Sequence, residues 1–153
     1  MTLDWPNLVV GAILGAILAY FVHWAFVGRQ QYSERRKLKK AYGHLAGDYT
    51  NFRVKDDRTQ ESTGGKIRLI WQPEGSFKAQ GLHANGVAEW ESVIRMSLEF
   101  KGTGQGHYRY IGAEISGTQQ ITYFSETRSF VVVGTSSTTG REFIHYWRRI
   151  ETG

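Results

Sequence analysis

Residues 5–27, Trp-Pro-Asn-Leu-Val-Val-Gly-Ala-Ile-Leu-Gly-Ala-Ile-Leu-Ala-Tyr-Phe-Val-His-Trp-Ala-Phe-Val, contain no formally charged side chain. A bilayer core of about 30 Å needs roughly 20 predominantly apolar helical residues, so this run is long enough to span one. Asp4 precedes it, and Arg29, Arg35, Arg36, Lys37, Lys39 and Lys40 follow. Trp5 at one end, and Tyr20 with Trp24 toward the other, suit interfacial aromatic belts. A secretory signal would carry a positive n-region, and Met-Thr-Leu-Asp supplies none. A buried core helix would need a large protein around it, and 153 residues do not provide one. The run is therefore expected to anchor the chain in a membrane, with a single span. Positive residues stay on the cytoplasmic side, which puts the N-terminus out and the rest of the chain in the cytoplasm.

The anchor also explains the charge. The chain carries a formal +5 and a sequence pI of about 9.6, which would ordinarily suggest a polyanion partner. Residues 1–40 hold six basic and two acidic side chains, so +4 of the excess lies around the span. Beyond residue 40 there are thirteen basic and twelve acidic residues, a balance of +1. A surface for long nucleic acid is not expected. With no cysteine, disulfide scaffolds, thiol nucleophiles and cysteine-based metal sites are excluded.

Within the span, Gly11-Ala-Ile-Leu-Gly15 is a small-xxx-small pattern. Gly11 and Gly15 form a groove in which two helix backbones can approach, so they are the expected helix-association residues. Glycine and alanine are common in such helices without any association. His23 lies near the inner boundary and suits an interfacial position. Residues 28–42 are good helix formers without a breaker after Gly28, and they can continue the membrane helix as a basic juxtamembrane segment. The expected organisation is an anchor over 1–28, a juxtamembrane helix over 29–44 and a soluble β domain over 45–153.

From Leu45 the texture changes to period-two alternation broken by glycine and polar clusters. Eight short strands are expected at 47–54, 65–72, 76–82, 88–98, 105–112, 118–125, 129–135 and 141–150. Asn85-Gly86 is a hairpin signal. The fold class is thus a single transmembrane α-helix plus a mainly-β domain, an antiparallel meander able to close into an eight-strand barrel. Alternation places Ile67, Leu69 and Trp71 on one side, opposite Lys66 and Arg68. It groups Trp90, Ile94, Met96 and Leu98, and likewise Phe143, His145 and Trp147. The last strand is apolar on both faces, which points to a second subunit covering part of the exterior.

No catalytic motif is present: there is no G-x-S-x-G, H-E-x-x-H or P-loop. An enzyme is not expected, nor a metal or resident cofactor. His83, His107 and His145 are spread over three elements, and Glu89 with Glu91 suits a solvated face. Gly102-Thr-Gly-Gln-Gly-His107-Tyr-Arg-Tyr110 can form an anion nest, with His107 and Arg109 completing a phosphate clamp and Tyr110 offering a stacking face. Its ordinary alternative is a hairpin entering a strand. Arg53, Arg68 and Arg95 lie mid-strand, as a cationic patch or as partners of nearby glutamates. Arg141 adjoins the hydroxyl-rich Ser136–Gly140 turn. The expected ligand-binding set is Arg53, Arg68, Arg95, His107, Arg109, Tyr110, Arg141 and His145.

With the span, the Arg35–Lys40 run, Gly11-x-x-x-Gly15 and the eight-strand reading in view, the layout resembles small prokaryotic antiviral membrane effectors. It is most similar to the type III CRISPR-associated effector activated by cyclic tetra-adenylate. CBASS effectors that join membrane helices to a β-barrel nucleotide sensor look similar too. The resemblance is one of layout and assigns no site residue. It implies an inner-membrane homo-oligomer, a tetramer being favoured, that binds a cyclic oligonucleotide in its cytoplasmic domain and opens or disrupts the bilayer. Leu45-Ala-Gly-Asp-Tyr49 and Tyr146-Trp-Arg-Arg149 also look like the opening and closing of a calycin barrel, although lipocalins usually carry tryptophan where this chain has Tyr49. That likeness implies a tethered, monomeric barrel with a dry cavity lined by Leu69, Trp71, Trp90 and Met96. A structural adaptor subunit is the third class.

Overall fold

The computed structural model describes the backbone of residues 5–151 and side-chain surroundings from Ile13 onward. The chain divides into two compact units after Arg36.

The described part of the first unit, residues 5–36, belongs to helix α1, Trp5–Tyr42, which continues without a break through Gly28. Its 38 residues correspond to about 57 Å at 1.5 Å per residue, well over a bilayer core. Ile13, Leu18, Phe21 and Trp24 are all exposed, as are the residues between them. From Ile13 to Phe26 the helix carries no charged residue and is exposed, so by length and composition it is a candidate membrane span. Among the described residues it is the one helix long and apolar enough to cross a bilayer. A side chain at Gly15 would meet no other atom within 4 Å. The Gly11 half of the association motif lies outside the residues whose side chains are described.

The second unit runs from Lys37. After α1, a single 3-10 turn, Gly43–Leu45, leads into eight strands: β1 Gly47–Val54, β2 Gln60–Trp71, β3 Phe77–Leu82, β4 Ala88–Met96, β5 Thr103–Tyr110, β6 Ser116–Phe124, β7 Ser129–Ser136 and β8 Glu142–Arg149. Each pairs antiparallel with the next in sequence, and β8 pairs with β1, so the sheet closes into a barrel without a free edge. β1 alone keeps the bounds of the alternation reading, and three of the shifts bear on packing. β2 starts at Gln60, because a turn in which Asp57 accepts from both the N–H and the hydroxyl of Thr59 needs only the segment 55–59. β4 stops at Met96, leaving Leu98 in the following loop. β5 begins at Thr103, so Gly104 and Gly106 are strand residues.

Alternate residues fill the interior. Tyr49, Ile67, Phe77, Ile94, Ile121, Phe130, Val132 and Trp147 are buried. Room for the rings comes from glycines directly across the ladder. Gly81 faces Trp90, Gly117 faces Tyr108 and Gly134 faces Phe143. A Cβ on any of the three would overlap the ring opposite.

One end of the barrel is sealed. Leu45 is fully buried there, and the Tyr49 hydroxyl donates to its carbonyl at 2.7 Å. The Arg149 guanidinium sits 6.0 Å from the Tyr49 ring centre and donates to the carbonyls of His44 (2.9 Å) and Ala46 (3.1 Å). Tyr42 closes the same end, donating to the Ser97 carbonyl at 2.6 Å and accepting from Gly102 N–H at 3.2 Å. The opposite end is formed by the β1–β2, β3–β4, β5–β6 and β7–β8 hairpins and is the mouth.

Candidate ligand site at the barrel mouth

The mouth opens into a cavity of about 570 Å³, within the range of small-molecule sites. Asn51 and Arg53 enter it from β1, Trp90 from β4, Tyr110 from β5, and Phe143 with His145 from β8, while Lys66, on the outward face of β2, lies at its rim. The aromatic wall is fixed from behind. Trp90 lies on Gly81 and stacks on Trp147, with centroids 6.1 Å apart and planes 28° from parallel. Phe143 lies on Gly134 and meets Tyr108 edge-on at 5.4 Å.

The polar groups are few and defined. His145 Nδ1 is 3.1 Å from Asn51 Oδ1. Burial, and then the charge of Arg53, push the His145 pKa down to about 4, so the imidazole is neutral at pH 7. Its Nδ1–H donates to the Asn51 carbonyl oxygen, leaving Nε2 as an acceptor. Burial, then the nearby Glu89 carboxylate, raises the Tyr110 phenol, which keeps its proton. Glu89 approaches His83 Nε2 at 3.7 Å. Among the described residues, Arg53 and Lys66 have no carboxylate within ion-pair distance. Glu61, opposite Arg53 on β2, is taken by Lys55 at 3.1 Å. The mouth therefore presents one uncommitted inward cation, Arg53, with a second, Lys66, at the rim, a neutral acceptor and an aromatic wall. That combination suits an anion carrying a flat ring.

Of the eight expected ligand-binding residues, the fold brings Arg53, Tyr110 and His145 together here. Arg68 projects outward and is held by Asp48 at 2.9 and 3.3 Å. Arg109 also projects outward, bound to Glu91, which Lys78 contacts from the other side at 2.9 Å. Lys78, then Arg109, hold the Glu91 carboxyl below its ordinary range. For these two arginines the ion-pair alternative is the one found. Arg95 and His107 line a separate outer groove over β4–β6, about 1060 Å³ in volume, together with Phe100. Arg141 is exposed in the β7–β8 turn at this end of the barrel but does not line the cavity. The Gly102–His107 segment is not a nest: Gly104 and Gly106 are buried ladder residues paired with Met96 and Ile94. Among the described residues there is no group of three metal-ligating side chains.

Of the four side chains expected around a dry cavity, Trp90 alone lines the mouth. Leu69 and Met96 belong to the packed core, with Trp71 against it. Sequence reasoning missed Asn51 and Lys66 as site residues. It also missed the glycine cradles, whose visible signal was glycine inside an otherwise alternating strand. Comparison with protein families, curated proteins and solved structures finds no match.

Proposed function

We propose that the chain is a membrane-tethered receptor whose barrel mouth binds a cyclic oligonucleotide, and that it acts as an antiviral effector at a prokaryotic inner membrane. Ligand binding in the cytoplasmic barrel changes how the anchor helices cluster, and so perturbs or opens the bilayer. The observation that carries this reading is the convergence of Arg53, Tyr110 and His145 with the aromatic wall of Trp90 and Phe143 in one cavity. Phosphate needs a cation such as the uncommitted Arg53, a base needs a flat ring to stack on, and a base N–H or amino group needs an acceptor such as His145 Nε2. A cyclic dinucleotide suits a single mouth. The four-base ring of cyclic tetra-adenylate calls for mouths from more than one copy. The tethered lipocalin-like reading is weaker, because the barrel interior is filled by packed side chains.

The test is calorimetry of the full chain in lipid nanodiscs against cyclic tetra-adenylate, cyclic dinucleotides and linear AMP. Micromolar or tighter binding of a cyclic ligand is expected. Arg53→Ala should weaken it by about tenfold or more, since a charge-assisted hydrogen bond contributes roughly 1.5–3 kcal/mol. Dye release from liposomes on adding the same ligand tests the membrane step. Absence of binding by every cyclic ligand refutes the proposal, and co-purified lipid in the mouth would favour the lipocalin-like alternative.

A further inference from the structure

The exterior of the barrel is two surfaces of different chemistry. Across β1 to β5, one outward row reads Asp48, Arg68, Gln80, Glu91, Arg109, with ion pairs at both ends. Across β5 to β8, another outward row, which starts beside Arg95 of β4, reads Gln105, Gln120, Val133, Ile144. Neither β6 nor β7 contains a single charged residue on either face. Val133 and Ile144 are direct cross-strand partners, each 42% exposed, and Thr118 and Thr122 flank Gln120 on the outer side of β6.

We infer that this outer face of β6 and β7 is where one copy of the chain docks on another. The argument is self-complementarity. A two-fold contact sets the same patch against itself, and groups at its axis meet their own symmetry mates. Like charges in that position repel, whereas threonine hydroxyls and glutamine amides both donate and accept, so they pair with themselves. An acidic or basic partner would find no opposite charge here, and a lipid surface would strand the Gln and Thr side chains. A second copy satisfies both the amides and the valine–isoleucine pair. The size of the face sets a condition. Two strands about 4.8 Å apart and seven residues at about 3.4 Å make a footprint of roughly 230 Å² per copy. A stable free interface buries about 800 Å² per partner. Docking through this face therefore depends on the membrane anchor, which holds copies at high effective concentration. This inference goes beyond the ligand reading and holds whatever the mouth binds.

The cysteine-free chain gives a background-free test. Full-length protein carrying Val133→Cys is reconstituted in liposomes and treated with a short bis-maleimide, with Ile144→Cys as a second probe and Gln80→Cys as the control on the charged side. Covalent dimer is expected at 133 and 144 and not at 80. Adding Gln120→Lys to the Val133→Cys chain should lower its dimer yield roughly tenfold or more, since like charges across an interface cost several kcal/mol. Gln120→Glu should do the same, and mixing the Lys and Glu chains should restore the dimer, which also shows that both variants fold. Equal yields at 80 and 133, indifference to Gln120→Lys, or no rescue on mixing would overturn the inference. So would an adduct to a different protein when the experiment is repeated in native membranes.

Discussion

Lowering the pH should unfold this barrel through His145 more than through any other histidine. The group is buried in the mouth, donates to Asn51 and faces the positive charge of Arg53, which together bring its folded pKa down to about 4. In the unfolded chain an ordinary histidine titrates near 6.5. Between those two values the unfolded state holds a proton that the folded state does not, so stability is complete above pH 6.5 and falls as the pH drops. The loss accrues at about 1.4 kcal/mol per pH unit, giving about 2 kcal/mol at pH 5 and levelling off near 3 below pH 4. Water at the mouth screens part of this, so these values are upper bounds. The assay is urea unfolding of the full chain in detergent, followed by tryptophan fluorescence at pH 7, 6 and 5, for the wild type and His145→Gln. The remaining histidines and all carboxylates are common to both proteins and cancel in the difference. The wild type should lose more stability than the variant over this range. Parallel pH dependences would refute the buried, neutral assignment, and a steeper loss in the variant would reverse its sign.

Two further perturbations separate tight packing from surface charge. Gly81→Ala drives a Cβ into the Trp90 indole, which Trp147 prevents from retreating, and should cost about 1–3 kcal/mol in urea unfolding with a shift in Trp emission. Tyr49→Phe leaves the buried Leu45 carbonyl without its donor and should cost about 1–3 kcal/mol, whereas Glu91→Gln, in an exposed network, should change the midpoint by less than about 1 kcal/mol.

Alternation made most of the barrel legible, because each strand's period of two reports the face that must be dry. The same period already placed Arg68 with Lys66 on the wet side of β2, and the ion pair with Asp48 follows from that placement. In the folded barrel Arg53 is in phase with Tyr49 and Asn51, on the inward side of β1 that reaches the mouth. What misled was glycine. Gly64 and the Gly102 to Gly104 segment read as turns, yet Gly64 and Gly104 lie inside strands, and at Gly104 the Met96 side chain across the ladder needs the space. Glycine as hinge and glycine as socket differ only in what stands across the ladder, and that partner is remote in sequence. Asn51 and His145, 94 residues apart, could not be joined without knowing that β8 returns to β1.

That return makes the mouth and the sealed end consequences of a single register. β1 and β8 present three successive inward pairs: Tyr49 with Arg149, Asn51 with Trp147, and Arg53 with His145. The first pair seals one end by holding the carbonyls of His44, Leu45 and Ala46. The second carries core packing through Trp147, which stacks on the Trp90 of the mouth. The third supplies the cation and the neutral imidazole of the cavity. A slip of two residues would keep every side chain on its proper face, so hydrophobic patterning alone does not forbid it. It would instead unpair Arg149 from Tyr49 and His145 from Asn51 together. The polar groups at the two ends therefore fix the register that the apolar core leaves open, and any ligand held by Arg53 and His145 grips the seam that closes the barrel.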